Sequence, residues 1–339
     1  MSVPVKKSNR ERHLILGGSG FIGRHVAAIL ARQGYEVILA GRSASKPAFA
    51  FDIDELIKWR RFDLESPQWD SLIEGASVIH HYAWSSVPAS ANDDPTMDLS
   101  TNVVPTLGLL EAMRKNGRQA PARLVFASSG GTVYGRPLRL PVAEDHPLNP
   151  ITAYGAAKAA VEMYLGTYRD LYGLDCRVAR LANPFGAGQN LAKGLGAVTT
   201  FLHLALCQQP IVVWGDGEII RDFIHISDVA AGLVELANAE STDGSWIFNI
   251  GSGQGISLKG VIVELESKLG HRIDVSYKEA RSFDVPVNVL DISLIRETLG
   301  WCPLMSFSEG MTKTLTDLRR TLYNLTRPDW NSRDRSQNW

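Results

Sequence analysis

The stretch that decides the fold reads HLILGGSGFIGRHVAAILAR and spans residues 13–32. The apolar run at 13–16 predicts a short β-strand, and the apolar spacing after Gly23 predicts a helix. The glycines between them fit G-x-x-G-x-x-G from Gly17 or G-x-G-x-x-G from Gly18. In either register the missing side chains permit a tight turn and let the backbone approach a pyrophosphate at the helix N-terminus. The same sequence is also compatible with a strand-to-helix turn that binds nothing.

The composition is that of an ordinary globular protein. The 339 residues are 45% hydrophobic and 21% charged, enough for one large or two small domains. A formal net charge of -1 suggests neither a nucleic-acid nor an acidic-membrane partner. Cys176, Cys207 and Cys302 form neither a disulfide framework nor a metal site by their spacing, which fits a reducing cytoplasm. We expect no signal peptide, and no run reaches the ~18 apolar residues of a membrane span.

Strands and helices alternate six times in the first half of the chain. The predicted strands lie at 13–16, 36–40, 61–64, 77–83, 123–127 and 176–181, with long helices at 97–116 and 152–172. This alternation predicts an α/β fold with a Rossmann-type doubly wound parallel sheet. We expect this dinucleotide-binding domain at 13–182, with part of 211–250. A smaller C-terminal α/β substrate-binding domain is expected at 183–325, with tails at 1–12 and 326–339.

The end of the second strand indicates which dinucleotide binds. NAD-binding versions of this unit carry an acidic residue there, which holds the ribose 2′-OH. Here Gly41 and Arg42 occupy that place, and the next acidic residue is Asp52. Arg42 could pair with a 2′-phosphate, so NADP(H) is favoured over NAD, unless Arg42 is only a solvated loop residue. Asp63 could accept a hydrogen bond from the adenine amino group or could simply form a turn.

Tyr154 and Lys158 are the candidate chemical centre. They are four residues apart near the start of a predicted helix, so they share one helix face. A nearby ammonium favours the phenolate and lowers the tyrosine pKa toward neutrality, which suits a general acid or base. Ser128, Ser129 and Thr132 end the preceding strand and would face the same crevice. A Tyr/Lys pair at this spacing is often a surface contact, and the surrounding pattern is what favours chemistry.

Five ordered motifs together resemble the extended short-chain dehydrogenase/reductase family. They are Gly17–Gly23, Ser128–Gly135, Tyr154–Lys158, Asn183–Gly186 and Arg221–His225. Within that family the chain resembles the NAD-dependent epimerase/dehydratase group, typified by UDP-glucose 4-epimerase. The resemblance extends over nearly the whole chain. It implies hydride transfer at C4 of a nucleotide-diphosphate hexose.

The resemblance also implies a role for each matching residue. Tyr154 would be the catalytic base, and Lys158 would assist it and hold the nicotinamide ribose. The other implied cofactor contacts are Gly17, Gly20, Phe21, Ile22, Gly23, Leu64, Ala83 and Asn102. The implied contacts to the sugar, diphosphate and nucleotide ribose are Trp84, Asn183, Arg221, Arg281 and Asp284. Surface salt bridging or capping is the plainer alternative for several of these polar residues.

The chain departs from the family pattern at three places. Gly130 stands where the family usually has Ser or Thr, so Ser129, Thr132 or a backbone donor with water must serve. Gly41 and Arg42 replace the usual acidic residue. Trp84 replaces a small residue and could shape the sugar pocket or simply pack.

Three functions stay open on this evidence. Overall resemblance favours a nucleotide-sugar 4-epimerase, and the Gly41-Arg42 pair favours an NADPH-dependent nucleotide-sugar 4-ketoreductase. A non-catalytic NADP-sensing or scaffold protein is possible on the same fold, although an intact Tyr154 and Lys158 argue against it. The family tends to pair subunits through two helices, here around 98–116 and 152–172, which predicts a homodimer.

Overall fold

The computed structural model describes residues 11–49, 51–116, 122–191, 196–281 and 284–325. The strands are β1 (Arg12–Leu16), β2 (Glu36–Gly41), β3 (Ile57–Arg61), β4 (Val78–His81), β5 (Arg123–Ser129), β6 (Cys176–Leu181), β7 (Asn183–Phe185), β8 (Ile211–Trp214), β9 (Ile220–His225), β10 (Ile247–Ile250), β11 (Gly255–Ser257), β12 (Val275–Lys278) and β13 (Val287–Asn288). The α-helices are α1 (Phe21–Arg32), α2 (Phe51–Asp54), α3 (Trp69–Ile73), α4 (Pro88–Asp93), α5 (Pro95–Asp98), α6 (Val104–Asn116), α7 (Ala153–Tyr172), α8 (Ala197–Leu206), α9 (Ile226–Asn238), α10 (Leu258–Leu269), α11 (Ser293–Leu299) and α12 (Phe307–Leu325).

Seven parallel strands form the central sheet, in the order β10-β6-β5-β4-β1-β2-β3. Its strands are apolar on both sides, since Leu14 and Leu16 of β1 enter one core cluster and Ile15 enters the other. Helices α1 and α9 cover one face, and α3, α6 and α7 cover the other. The predicted Rossmann-type doubly wound sheet is confirmed. The strand order reverses at β1, between β2 and β4, which places a ligand crevice at the carboxyl ends of β1 and β4.

The third strand lies earlier in the chain than predicted. It ends at Arg61 instead of spanning 61–64. Phe62 and Leu64 are both buried and so imitate the alternation of a strand. The backbone has already turned there, because the Ser66 N–H donates to the Asp63 carbonyl. Asp63 therefore lies in the turn after the edge strand.

The predicted helix at 97–116 is divided, whereas the one at 152–172 is continuous. A π-helical turn, Leu99–Val103, joins α5 to α6. The Thr106 hydroxyl of α6 donates to the Asn102 carbonyl of this turn, and such side-chain bonds perturb the hydrogen-bond ladder of a helix. By contrast, α7 begins at an N-cap, Thr152, whose hydroxyl accepts from the Gly155 N–H.

The second half of the chain builds the smaller α/β unit. Strand β9 pairs with β7, β11 and β13, and β8 pairs with β12. A third apolar cluster joins β8 to α8, α10 and α12. Two later elements belong to the first domain. Strand β10 pairs with β6 in the central sheet, and α9 packs on the same face of that sheet as α1. None of the helices in the described ranges is both long and apolar enough to cross a membrane.

The predicted tails fall mostly outside the description. Residues 1–10 and 326–339 lie beyond the described ranges. The expected N-terminal tail at 1–12 is too long, because Arg12 already belongs to β1 and pairs with Glu36 of β2.

Candidate active site

A glycine cradle lies at the carboxyl end of β1. Gly17 has a left-handed backbone with φ of +79°, and a Cβ there would lie 2.7 Å from the Ala83 nitrogen. A Cβ on Gly23 would lie 2.5 Å from the Gly17 carbonyl oxygen. Side chains do not tolerate such contacts, so the turn requires glycine at both places. Its bare backbone permits the close approach that a pyrophosphate needs.

The N-terminus of α1 continues this cradle. Gly20 is the N-cap and supplies no side-chain hydrogen bond, and the first turn contains no acidic residue. The N–H groups of Phe21 and Ile22 belong to the helix end that has no intrahelical acceptors. Together with the helix dipole, these groups fit the diphosphate of a dinucleotide cofactor.

Two arginines lie together at the carboxyl ends of β2 and β3. Gly41 ends β2 opposite Arg61 of β3, and Arg42 follows it directly. Both arginines are exposed, and neither has a hydrogen-bond or ion-pair partner among the described residues. A Cβ on Gly41 would lie 2.8 Å from the ring of Trp59, so an acidic side chain does not fit there without a shift. Two neighbouring cations without a carboxylate favour an anionic ligand.

Asp63 and Leu64 follow β3 but point to different roles. Asp63 is exposed, and its Oδ1 accepts from the Glu65 N–H at 3.1 Å. Leu64 is buried in the core between the sheet and α3. The structure thus gives Asp63 a turn-forming bond, while its contact to adenine stays a prediction. Leu64 can offer a cofactor only its backbone.

Tyr154 and Lys158 lie on the first two turns of α7. The Lys158 side chain is buried, and its Nζ donates to the Ala127 carbonyl at 2.8 Å. That Nζ lies 5.7 Å from the centroid of the Tyr154 ring. Tyr154 is half-buried, and no described residue forms a hydrogen bond with its hydroxyl. The phenol is therefore free to meet a substrate oxygen.

Burial controls the ionisation of this pair. Burial lowers the pKa of Lys158 to about 7, although the carboxylates of Asp98 and Glu162 oppose the shift. Burial also raises the pKa of Tyr154, and the charge of Asp98 raises it further. The expectation that Lys158 brings the tyrosine pKa toward neutrality is therefore wrong for this structure, because desolvation of the phenolate outweighs the ammonium. Burial and Asp98 therefore both favour the protonated phenol of Tyr154.

Two hydroxyls share a cavity with Tyr154. Ser129 and Thr132 both line it. Thr132 Oγ1 is buried and has no partner within the described part of the chain. Ser128 is not available, because its hydroxyl donates to the buried carboxylate of Glu162. Ser129 and Thr132 are thus the hydroxyls that can reach a reacting oxygen.

The cavity has a volume of about 620 Å³ and lies between the central sheet and the smaller unit. On the sheet side it is lined by Ser86, Ser129, Thr132 and Tyr154, among others. On the other side it is lined by residues that include Asn183, Phe201, Trp214, Arg221, Arg281 and Asp284. The structure therefore brings three of the four predicted catalytic residues, Ser129, Thr132 and Tyr154, and four of the predicted substrate contacts to one space, whereas Lys158 does not line it.

The far end of the cavity is charged. Arg281 Nε donates to Asp284 at 3.1 Å, and Arg221 Nη2 lies 4.0 Å from the same carboxylate. The Arg281 guanidinium lies 5.5 Å from the centroid of the Trp214 ring. Two arginines share one aspartate, so this end keeps a positive charge suited to phosphate. Between the two ends, Asn183 is fixed by donating to the Asp222 carbonyl at 3.1 Å.

Asn102 and Trp84 are among the predicted contacts that do not line the cavity. Asn102 is fully buried, and its side chain accepts from the Ser85 N–H and donates to Asp98, both at 2.8 Å. Its amide holds the segment after β4, so no group is left for a cofactor. Trp84 is not among the described lining residues, and its ring covers Lys158 with the centroid 3.6 Å from Nζ.

Sequence reasoning missed Asp98, Ser86 and Trp214. Asp98 is 2% exposed and accepts from the Ser86 hydroxyl, while its Oδ2 has no partner among the described residues. The sequence did carry one indication of Asp98. It precedes the predicted residue Asn102 by four positions, which places both side chains on one helix face. Trp214 also gave a signal, as an aromatic residue at the end of an apolar strand.

Comparison with known proteins gives a consistent assignment. A model of the NAD dependent epimerase/dehydratase family matches residues 13–251. The UDP-glucose 4-epimerase of Mycolicibacterium smegmatis is 32% identical over 314 residues, which cover 91% of this chain and 98% of that protein. The dTDP-4-dehydro-6-deoxyglucose reductase of Escherichia coli is 30% identical over 314 residues, covering 90% and 97%. The crystal structure of UDP-glucose 4-epimerase from Thermotoga maritima with UDP-glucose has a TM-score of 0.83 and 31% identity, covering 92% of this chain and 99% of that one. The chain therefore belongs to the NAD dependent epimerase/dehydratase family of enzymes.

Proposed function

We propose that this enzyme is a nucleotide-sugar 4-epimerase, which inverts C4 of a hexose attached to a nucleotide diphosphate. The observation that carries the proposal is one cavity with Tyr154, Ser129 and Thr132 at one end and two arginines at the other. A phenol and two hydroxyls suit a reaction between an alcohol and a ketone. Both compared relatives act, by name, on nucleotide-linked sugars.

The charged end supports recognition of the nucleotide diphosphate. Arg221 donates to the carbonyls of Ile220 and Val285, so its guanidinium is held in place before a ligand arrives. Trp214 is 39% exposed and offers a flat ring to a nucleotide base. The cavity volume lies within the range of about 300–1,000 Å³ that is usual for small-molecule sites. Binding energy from this remote end can hold the sugar in its reactive position.

The uncharged end supports the chemistry. A bound nicotinamide cofactor would supply reversible hydride exchange at C4. The phenolate form of Tyr154, favoured by the Lys158 ammonium, takes the proton of the C4 hydroxyl on oxidation, and the phenol so formed returns it on reduction. Ser129 and Thr132 hydrogen-bond to the same oxygen and fix its distance from the phenol. The sugar must present both faces, and a Cβ on Gly131 would have no neighbour closer than 3.9 Å, so this wall leaves room.

The test is an assay of sugar interconversion with the cofactor monitored in parallel. Purified enzyme is given UDP-glucose, and the products are separated by chromatography. We expect UDP-galactose to form with no net change in nicotinamide absorbance, and we expect Tyr154→Phe to slow its formation by about 10²-fold or more. Stoichiometric loss of NADPH absorbance with a 4-keto sugar, without interconversion, would contradict the proposal.

A second candidate is an NADPH-consuming 4-ketoreductase. The unpartnered Arg42 and Arg61, and the absence of an acidic residue at Gly41, favour a cofactor with a 2′-phosphate. Removing either arginine should weaken NADPH binding about tenfold or more and leave NADH binding unchanged. Fluorescence titration measures both affinities, and Lys58→Ala is the matched control, because Lys58 is an exposed cation on β3 that pairs with Glu36. Equal effects of Arg42→Ala on NADH and NADPH would refute the preference.

We also infer a homodimer, formed through the divided helix (α5, the π-helical turn and α6) and through α7. Large apolar side chains are exposed on α5, the π-helical turn, α6 and α7: Met97, Leu99, Val104, Met163, Tyr164 and Leu171. Grouped exposed apolar side chains are typical of subunit interfaces. Light scattering should give a dimer, with Met163→Glu shifting it to monomer. Val263→Glu, at an equally exposed apolar site on α10, should leave it dimeric. A concentration-independent monomer would overturn the inference.

A further inference from the structure

The ammonium of Lys158 sits in an aromatic enclosure. Its Nζ lies 3.6 Å from the centroid of the Trp84 ring and 4.6 Å from that of Phe126. The Ala127 carbonyl accepts its one described hydrogen bond, at 2.8 Å. No carboxylate among the described residues lies within ion-pair distance of it. The aromatic faces therefore replace the counter-ion that a buried cation usually has.

Trp84 is itself held in a fixed orientation. Its Nε1 donates to the Ser86 hydroxyl at 3.1 Å, and that hydroxyl donates to the buried Asp98 carboxylate. The indole also meets the Tyr154 ring edge to face, with centroids 6.1 Å apart. The indole therefore contacts both residues of the chemical centre.

The groups around Lys158 have opposing effects on its pKa. Burial is the largest influence and lowers the lysine pKa to about 7, while Asp98 on α5 and Glu162 on α7 act in the opposite direction. His81 of β4 faces the lysine, and burial with the lysine charge lowers its pKa to about 3, so it stays neutral. Burial and the charge of Asp98 raise the pKa of Tyr154. The lysine is thus close to losing its charge, and any contact that favours the ammonium decides its state.

We propose that Trp84 is a positioning residue for proton transfer at Tyr154, because its indole face holds the ammonium of Lys158 in place and keeps it charged. The inference deepens the proposed function and rests on it only in treating Tyr154 as the group that exchanges the proton. It also assigns Trp84 a role other than a contact to the sugar. A phenolate formed during turnover needs a neighbouring positive charge, which the Lys158 ammonium supplies while the aromatic rings stabilise it.

The direct test is the titration of Lys158 in the protein without substrate. Lysine labelled with ¹³C and ¹⁵N is followed by NMR, and Lys158→Arg identifies the resonance. Trp84→Leu keeps an apolar side chain but removes the aromatic face, so the lysine pKa should fall by about one unit, the equivalent of a desolvated cation–π contact. Trp84→Phe keeps a face and should cause a clearly smaller fall. Thermal melts establish that each variant folds, and Trp84→Met replaces Trp84→Leu if the latter does not.

A kinetic readout separates positioning from packing. The high-pH limb of kcat should move to lower pH in Trp84→Leu by the same amount as the titration, with KM for the sugar nearly unchanged. An unchanged lysine titration would overturn the proposal, whether the variant raises KM, as a wall residue would, or only lowers the melting temperature. Because the titration uses no sugar, it tests the role of Trp84 even if the epimerase assay fails.

Discussion

Gly130 is the position where the chain lacks the usual hydroxyl, and the structure predicts that serine cannot be restored there. A Cβ on Gly130 would lie 2.6 Å from Cδ1 and 3.0 Å from Cδ2 of Leu290. Leu290 is fully buried in the main core cluster, so its side chain has no free space to enter. The same Cβ would lie 3.3 Å from the Arg180 carbonyl oxygen, so it could not move away from Leu290 in that direction. Gly130→Ser should therefore destabilise the protein by about 1–3 kcal/mol, the usual cost of overpacking.

The partner of this clash is a single side chain, which permits a double-mutant cycle. Leu290→Ala alone should cost about 2–5 kcal/mol through the cavity it leaves. The added serine would partly fill that cavity, so the double variant should be more stable than the sum of the single changes predicts. The coupling should be on the order of 1–3 kcal/mol in the rescuing direction.

Urea unfolding of the four proteins measures the cycle. Gly131→Ser is the matched control, because its Cβ would meet nothing closer than 3.9 Å and should change stability by less than about 0.5 kcal/mol. Additive free energies for Gly130→Ser and Leu290→Ala would refute the reasoning. So would a Gly130→Ser variant as stable as the parent.

Three further predictions concern the chemical centre. Tyr154→Phe should lower kcat by about 10²-fold or more, the usual contribution of a general acid or base, without loss of thermal stability. Lys158 is buried with a pKa lowered to about 7, so the unfolded chain binds more protons than the folded one above that pH, and stability should rise with pH between about 7 and the ordinary lysine pKa. Lys158→Met should remove this rise. The variant should therefore be more stable than the parent in urea unfolding, with the largest difference near pH 7 and a smaller one at higher pH. The same dependence of unfolding free energy on pH in both proteins would contradict the prediction. Glu162→Gln should cost about 3–5 kcal/mol, because Arg180, bonded to Glu162 at 2.7 Å, would remain buried without its counter-ion. A loss below about 1 kcal/mol in calorimetry would show that Arg180 finds another partner.

The parts of the site that follow from short-range spacing were predictable from sequence. The glycine turn consists of seven consecutive residues, 17–23, and Tyr154 and Lys158 are separated by one helical turn. Their geometry needs no knowledge of distant elements. The ends of elements were less predictable, as Phe62 and Leu64 illustrate, because burial of alternate side chains also occurs in a turn that packs against α3.

The parts that depend on contacts between distant segments were not predictable. Leu290 excludes a side chain at Gly130 across 160 positions of sequence, and Trp84 meets Lys158 across a gap of 74. Both contacts depend on how the tertiary fold brings distant segments together, namely α7 beside the segment after β4 and the segment after β13 beside the end of β5. The raised pKa of Tyr154 is a further case, since helix spacing shows the lysine but neither the burial nor the charge of Asp98.

The ionisation of Tyr154 bears on the choice between epimerase and reductase. Burial raises the pKa of Tyr154 and so favours its phenol form, which can donate a proton to a keto oxygen in the reduction that a reductase carries out. An epimerase must begin by removing a proton from a hydroxyl, and so it needs positive charge beside the phenol. Lys158 is the nearest source, and with a pKa of about 7 it is only partly charged unless its aromatic enclosure favours the ammonium. The enclosure of Trp84 and Phe126 therefore supports the oxidative half of an epimerase, whereas Arg42 and Arg61 support the cofactor of a reductase. Because the two features lie in different parts of the cofactor crevice, each can be altered alone, and the effect on sugar interconversion can be measured separately from the effect on NADPH consumption.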